Sequence, residues 1–207
     1  MSLSTTIKEI ENTYFKEKET GLFKGTPVGE LVRHKIVEEL QSIEEIKDYK
    51  IKGSIGNISF ATIPWVAIMN EEITTSTSKG IFIIFLFSSD EKRVYLTLNQ
   101  GADNFKGKRL KDEEKVKISQ SIYGTLDSPK SKPININLNS NKKLPKNYEI
   151  TVISGYEYHI DQMPDTSTIE NDISNLVDDY EQLTAKYKQL GNNLDQFYEY
   201  CIGDDLT

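Results

Sequence analysis

The side chains best suited to chemistry lie in one block of the sequence, between Gly53 and Gly101. It holds the single tryptophan, directly after a proline, and a run of hydroxyl residues that ends in a lysine and a glycine. Hydroxyl and ammonium groups on a loop suit phosphate oxygens, and an aromatic with an aliphatic residue on one strand face suits an unstacked base. The block therefore predicts a ligand-facing sheet edge, although Trp65 as an ordinary core residue is the alternative. The candidate contact residues are Asn57, Trp65, Ser76, Thr77, Ser78, Lys79, Phe82 and Leu86.

Basic residues follow this block and extend the candidate surface. Lys106, Lys108 and Arg109 come soon after Gly101, and further lysines lie between Lys130 and Lys146. The net charge of the chain is -7, but the acidic residues concentrate after Asp161, and the first 160 residues are near neutral to basic. Because local charge governs phosphate binding, the overall charge does not exclude a nucleic acid partner. Solvated loop lysines are the alternative interpretation.

Motifs for catalysis, metal binding and membrane insertion are absent from the sequence. The segment from Gly101 to Arg109 has the wrong glycine spacing for a phosphate loop and lacks its terminal Ser or Thr. Two histidines and one cysteine make a zinc site improbable, and the lone thiol fits a reducing cytoplasm. The longest apolar run, Ile81 to Phe87, is too short to span a bilayer. We expect no catalytic residue, metal or cofactor, no membrane partner, and a cytoplasmic location.

The hydrophobic pattern predicts an α+β fold with a mainly antiparallel sheet flanked by helices. Two N-terminal helices, the second capped by Thr26 and Pro27, precede strands at 49–53, 64–70, 80–88 and 93–99. A helix within 104–125, a short strand at 134–138, a strand at 148–158 and a long helix over 168–200 complete the prediction. We expect a domain over residues 1–165. Residues 166–207 are expected to form an acidic helix that packs on this domain or leads to a downstream one.

The block around the tryptophan resembles the McrB-like N-terminal domains of modified-cytosine-dependent restriction proteins. The shared motifs are a Gly-Asn pair, an Ile-Pro-Trp-x-Ala core, a hydroxyl run ending in Lys-Gly, and Leu-x-Leu-Asn-Gln-Gly. Here they fall on Gly56-Asn57, Ile63 to Ala67, Ile73 to Gly80 and Leu96 to Gly101. The strong resemblance covers residues 52–101, and the rest of the chain agrees only in the order of elements.

This resemblance implies a domain that binds double-stranded DNA with modified, methylated bases and extrudes the base into a pocket. By motif position, Trp65 and Leu86 line the pocket and Phe82 wedges into the duplex. A family tyrosine before the Gly-Asn pair is replaced by Ile55. A further pocket tyrosine is not assigned, and Tyr123, Tyr148, Tyr156 and Tyr158 are the candidates. The implied partners are an AAA+ GTPase motor in cis and a nuclease subunit in trans.

Two other functions remain open from the residues alone. The long acidic C-terminal helix suits a protein-interaction adaptor of a defence complex that has no direct contact with DNA. Glu149 and Glu157, with Asp161 and Lys146 nearby, allow a nuclease site, although the spacing is unspecific. Binding of modified duplexes distinguishes a DNA-binding module from an adaptor. Metal-dependent cleavage of DNA identifies a nuclease.

Overall fold

A five-stranded antiparallel sheet forms the centre of the computed structural model, which describes residues 2–101 and 103–203. The strand order is β1-β2-β3-β4-β7, so that four strands follow one another in sequence and the last is added at the edge beside β4. A small hairpin, β5-β6, follows β4. The strands are β1 Lys50–Ser54, β2 Trp65–Met69, β3 Ile81–Phe87, β4 Arg93–Gln100, β5 Asn104–Phe105, β6 Lys108–Arg109 and β7 Val152–His159.

Helices precede the sheet, follow β4 and end the chain, which confirms the α+β prediction. Thr26 caps the second helical region with Pro27 at its first position, as predicted. That region contains a π-helical turn over Leu31–Lys35. The α-helices are α1 Leu3–Thr20, α2 Pro27–Glu30, α3 Ile36–Gln41, α4 Asp112–Gly124, α5 Lys143–Thr151, α6 Thr166–Gln189 and α7 Leu194–Ile202.

The two faces of the sheet are both buried, but by different parts of the chain. On the helical face, Val66, Phe85 and Leu96 pair across β2, β3 and β4 and pack into the large core with α1, α3 and α6. Strand residues alternate between faces. The opposite face therefore carries Trp65, Phe82 and Leu86, and it is covered by α5 and by the segment before it. We call residues 133–141 the strap, and the face beneath it the strap face.

Three predicted elements differ from the structure. The strap alternates like a strand but joins no sheet, because it crosses the strap face; the isolated bridge between Lys132 and Gly155 lies just before its first residue. The predicted strand at 148–158 begins four residues late, since Tyr148 belongs to α5. Asn99 donates from its amide to the Tyr148 carbonyl at 3.0 Å, and this buried contact holds the end of α5 on the sheet. The predicted helix over 168–200 is interrupted at Gly191, whose φ of 75° lies in the left-handed range.

Two absences apply to the described residues, 2–101 and 103–203. Within them no helix has both the length and the apolar composition needed to cross a membrane. Nor do they place three or more His, Cys, Asp or Glu side chains together as ligands for a metal ion.

Candidate nucleic-acid interface

The predicted contact residues lie at two ends of the sheet. The tryptophan end is where β1 ends and β2 begins, at Ser54 and Trp65. The hydroxyl end is where β2 ends and β3 begins, at Met69 and Ile81. Because β3 has seven residues, the two ends are about 20 Å apart. Asn57, Trp65 and Leu86 lie toward the first end, whereas the hydroxyl run, Phe82 and the basic cluster lie toward the second.

The loop between β1 and β2 is held firmly at the tryptophan end. The Tyr14 hydroxyl donates to the Ala61 carbonyl at 2.9 Å, and Arg33 donates to the Gly56 carbonyl at 3.1 Å. Lys18 donates to the Thr62 carbonyl at 3.0 Å. Phe60 packs edge-to-face against Tyr14 at 5.5 Å between ring centroids. These contacts fix the base of the loop from α1 and the π-helical turn.

The tip of this loop is open to solvent. Asn57, Ile58 and Ser59 are exposed, and Ile58 is 93 % exposed. The Asn57 side chain is therefore accessible, as its predicted contact requires. Sequence analysis missed Ile58, because a lone isoleucine beside a Gly-Asn pair does not reveal whether it turns inward or outward. A rigid loop with an apolar tip and flanking polar groups suits contact with a large partner.

Trp65 lies at the rim of the strap face. It is half-buried, and its strand neighbours are Ser54 on β1 and Leu86 on β3. Leu86 and Phe82 share this face, as predicted from their spacing. Both are 0 % exposed, because α5 and the strap cover them. In this conformation neither touches solvent, so pocket and wedge roles for them require the cover to move.

The hydroxyl run forms a compact loop at the other end of the sheet. The buried Thr74 hydroxyl lies 2.8 Å from the Ser76 carbonyl and 2.7 Å from the Lys79 carbonyl. Ser76 and Ser78 share a hydroxyl hydrogen bond of 2.9 Å. Thr77 is half-buried and accepts from Tyr148 at 3.4 Å. Thr74 and Ser76 therefore shape the loop, and Ser78 and Lys79 are exposed and can reach a ligand.

The basic cluster forms the small hairpin next to this loop. Its turn is made by Lys106 and Gly107, both with positive φ, which is typical of a tight two-residue hairpin turn. Lys106 forms an ion pair with Glu199 at 2.7 Å. Lys108 and Arg109 are exposed, and within the described residues no acidic side chain pairs with them. They line a cleft of about 540 Å³ together with the apolar Phe105, Leu110 and Ile202 and the acidic Glu114 and Glu199.

The hydroxyl loop and the basic hairpin approach each other across a second cleft. This cleft, of about 420 Å³, is lined by Ser78 and Lys79 on one side and by Asn104 on the other. Asp103 also lines it, as do Leu194, Asp195 and Tyr198 of α7. The hydroxyl run therefore lies next to the hairpin that carries the basic cluster, at the hydroxyl end.

The glycines of the sequence motifs allow this close packing. The Gly101 amide donates to the Gly80 carbonyl at 2.8 Å. This bond joins Gly80, the last residue of the hydroxyl motif, to Gly101, the residue directly after β4. A Cβ added at Gly101 would lie 2.5 Å from the Lys79 backbone nitrogen. Gly80 also has a φ of 77°, in the region that favours glycine. The backbone at Gly101 thus crosses close to the backbone of the exposed Lys79, and glycine at both positions permits this crossing.

Replacing Gly101 tests this crossing. We expect Gly101→Ala to lower the free energy of unfolding by about 1–3 kcal/mol, because the new methyl group forces the Lys79 backbone to shift. Chemical denaturation measures the loss. The matched control is Gly124→Ala, since a Cβ there meets no atom within 4 Å. Equal stability of the two variants would show that the crossing is looser than described.

The carboxylates of the nuclease alternative are engaged elsewhere. Glu149 accepts from the Leu138 amide at 2.8 Å and pairs with Lys146 at 2.8 Å, so it fastens the strap to α5. Glu157 lies 2.8 Å from His159, on the exposed edge of β7. These two carboxylates do not belong to a metal-binding cluster within the described residues.

Comparison with known proteins agrees with this geometry. No curated protein matches the chain. A family model described as "MrcB-like, N-terminal domain" matches residues 9–185, which include the sheet, both loops, the basic hairpin and most of α6. This family indicates a DNA-binding role in restriction rather than a catalytic one. The chain belongs to the MrcB-like N-terminal domain family.

Proposed function

We propose that this domain recognises methylated or otherwise modified bases in double-stranded DNA and so directs a restriction or phage-defence system to its target. The observation that carries the proposal is Trp65, a half-buried tryptophan at the rim of the strap face, beside a rigid loop with an exposed tip. A tryptophan in that position offers part of its ring for stacking while its strand anchors the rest.

Contacts with the phosphate backbone are assigned to the exposed polar groups at both ends of the sheet. Asn57 serves at the tryptophan end, and Ser78, Lys79, Lys108 and Arg109 serve at the hydroxyl end. The separation of about 20 Å between the ends corresponds to roughly six base pairs along a duplex. One duplex lying along the domain can therefore meet both groups.

Base extrusion is the finer part of the proposal. A base that leaves the stack needs a pocket with an aromatic wall, and Trp65 with Leu86 is the pair that the family motifs assign. Because Leu86 and Phe82 are covered, we propose that the strap moves away from Trp65 when a modified base enters. Ile58, at the exposed loop tip, is better placed than Phe82 to contact the duplex in the closed conformation.

Tryptophan fluorescence tests the proposal directly, since Trp65 is the only tryptophan. We expect a modified duplex to quench the emission at lower concentration than the unmodified duplex of the same sequence. We expect Trp65→Ala to weaken binding of the modified duplex by about 1–3 kcal/mol, the range for losing one aromatic stacking partner. Binding of plain DNA should change much less because it depends on phosphate contacts.

The control separates a pocket residue from a core residue. Trp65→Phe keeps an aromatic face and should retain most of the preference for modified DNA. If Trp65 only fills the core, Trp65→Ala will cost about 3–5 kcal/mol of stability, and its binding defect will follow the unfolded fraction. Emission that does not respond to saturating modified DNA contradicts the base-pocket assignment.

The partners and the setting belong to the same proposal. We propose an AAA+ GTPase motor in cis and a nuclease in trans, working on cytoplasmic DNA. The adaptor alternative is supported by the acidic exposed face of α6, which includes Glu170, Asp178 and Glu181. An adaptor without DNA contact predicts no binding of either duplex at low salt, so the same titration decides between the two functions.

A further inference from the structure

The strap presents a row of asparagine side chains to solvent. Ile134, Ile136 and Leu138 pack onto the strap face. The residues between and after them alternate outward, and the exposed ones are Asn135, Asn137, Asn139 and Asn141. Two of these residues also shape the end of the strap, since the Asn137 Oδ1 accepts from the Asn139 backbone amide at 2.9 Å and Asn139 has a positive φ of 51°. The interval that a ligand can read is therefore the one between Asn135 and Asn137, in the extended part of the strap.

The strap is held rigidly, so the outward groups have fixed positions. The Tyr95 hydroxyl donates to the backbone carbonyl of Asn137 at 3.3 Å and accepts from the backbone amide of Asn137 at 3.3 Å. The Ser89 amide donates to the Leu138 carbonyl at 3.0 Å, and the Gly155 amide donates to the Lys132 carbonyl at 2.9 Å. These bonds fasten the strap to β4, to the turn after β3 and to β7. Preordered side chains lose less entropy when they bind a ligand.

Lysines flank the asparagine row, and no acidic residue interrupts it. Between Pro129 and Lys146 the sequence has five lysines and no Asp or Glu, in a chain whose net charge is -7. Lys132, Lys142 and Lys143 are exposed, and among the described residues no ion pair involves them. Lys146 forms an ion pair with Glu149, the residue whose carboxylate accepts from the Leu138 amide of the strap. This segment is therefore strongly positive, in a chain whose net charge is -7.

The spacing of the row matches a duplex. Alternate side chains of an extended segment repeat about every 6.6 Å, and two base-pair steps rise about 6.8 Å. Asparagine amides donate to phosphate oxygens and to base edges, and lysines neutralise phosphates. Solvated lysines alone would account for the charge but not for amides that repeat at this interval.

We propose that the outer side of the strap, with Asn135 and Asn137 between Lys132 and the Lys142–Lys143 pair, is a second contact surface for the backbone of double-stranded DNA. It is distinct from the loops at the two ends of the sheet. The inference rests on the proposed DNA-binding function. It assigns to the strap two roles, since its inner side covers Phe82 and Leu86 while its outer side binds DNA.

Salt-dependent binding of an unmodified duplex tests the lysines. Each phosphate contact contributes about 0.9 to the slope of log affinity against log salt. We therefore expect Lys142→Ala with Lys143→Ala to reduce this slope by about 1.8. The matched control is Lys8→Ala with Lys117→Ala, which makes the same charge change at exposed positions of α1 and α4. The control should leave the slope unchanged.

The asparagines are tested by affinity at a single salt concentration. We expect Asn135→Ala to weaken binding about tenfold, the effect of losing one hydrogen bond to a charged group, with no change in slope. Asn12→Ala, at an exposed position of α1, is its control. All four variants change exposed side chains, and equal melting temperatures verify that each remains folded.

The outcomes separate this inference from the function on which it rests. If the unaltered chain binds no DNA, the proposed function itself fails. If it binds, but the strap variants keep its affinity and slope or lose no more than their controls, the strap surface is overturned. Tighter binding of an RNA duplex of the same sequence, lost in the strap variants, overturns DNA as the occupant.

Discussion

The affinity of this domain for double-stranded DNA should fall by about a thousandfold when the salt concentration rises from 50 to 200 mM. The estimate assumes about six phosphate contacts, each of which releases counterions from the duplex. The exposed cations at the hydroxyl end, Lys79, Lys108 and Arg109, supply half of this number, and the lysines that flank the strap, Lys132, Lys142 and Lys143, supply the rest. The net charge of -7 does not oppose the effect, because the acidic residues concentrate in the last 47 residues.

Fluorescence anisotropy with a labelled duplex at four or more salt concentrations measures the slope. Lys108→Ala with Arg109→Ala should reduce it by about 1.8. Lys106→Ala should have a smaller effect, because the ion pair with Glu199 already neutralises that ammonium group. Affinity that does not depend on salt would show that phosphate contacts contribute little, and the assignment of the hydroxyl end would then be wrong.

Glu11→Gln should stabilise the protein by about 3 kcal/mol at pH 7. Glu11 is 0 % exposed on α1, and within the described residues neither carboxylate oxygen has a hydrogen-bond partner. Burial, together with the nearby charges of Asp90 and Glu91, raises the pKa of this carboxyl from 4.5 to about 9. The folded protein therefore holds a proton that the unfolded chain releases above pH 4.5.

The sign of the pH dependence follows from this difference in proton binding. The contribution of Glu11 to stability is fully present below pH 4.5 and is lost as the pH rises toward the folded pKa of about 9. Each pH unit in that window removes about 1.4 kcal/mol, so the total reaches at most about 6 kcal/mol. Glutamine keeps the shape of the side chain and does not ionise, so the variant should lack this decline.

Chemical denaturation of both proteins at several pH values between 5 and 9 measures the effect. Glu19→Gln, at an exposed position of the same helix, is the matched control and should follow the unaltered protein. If Glu11→Gln shows the same pH profile as the unaltered protein, Glu11 is ionised in the folded state. It must then have a solvated or paired environment that differs from the one described.

Base recognition beside Trp65, as proposed, requires the closed strap face to open. Leu86 and Phe82 are buried under a segment fastened by Tyr95 and Glu149. Weakening one of these anchors, for example by Tyr95→Phe, should make the strap easier to displace. If a base enters beside Trp65, this change should favour modified over plain DNA, since only extrusion requires the movement.

The sequence by itself determined the elements whose signals are local. The alternation of Arg93 to Asn99 and the apolar run from Ile81 to Phe87 identify β4 and the central strand β3, because side-chain period and burial are properties of a short segment. Thr26 with Pro27 identifies a helix start for the same reason. The motifs around Trp65 identify the family from the sequence. Their glycines are informative because they mark positions of close backbone approach, as at Gly101, where an added Cβ would lie 2.5 Å from the Lys79 nitrogen.

Only the tertiary structure decided which of these residues can reach a ligand. The spacing of Phe82 and Leu86 places them on one face of the strand, but only the structure shows that residues more than 45 positions later in the chain cover that face. Ile134 to Leu138 has the alternation of a strand, yet its backbone crosses the sheet instead of pairing along an edge. The sequence pattern makes no prediction for Glu11, whose burial close to Asp90 and Glu91 depends on how α1 meets the β3–β4 turn. In each case the deciding contact joins segments distant in sequence, and a local pattern carries no information about it.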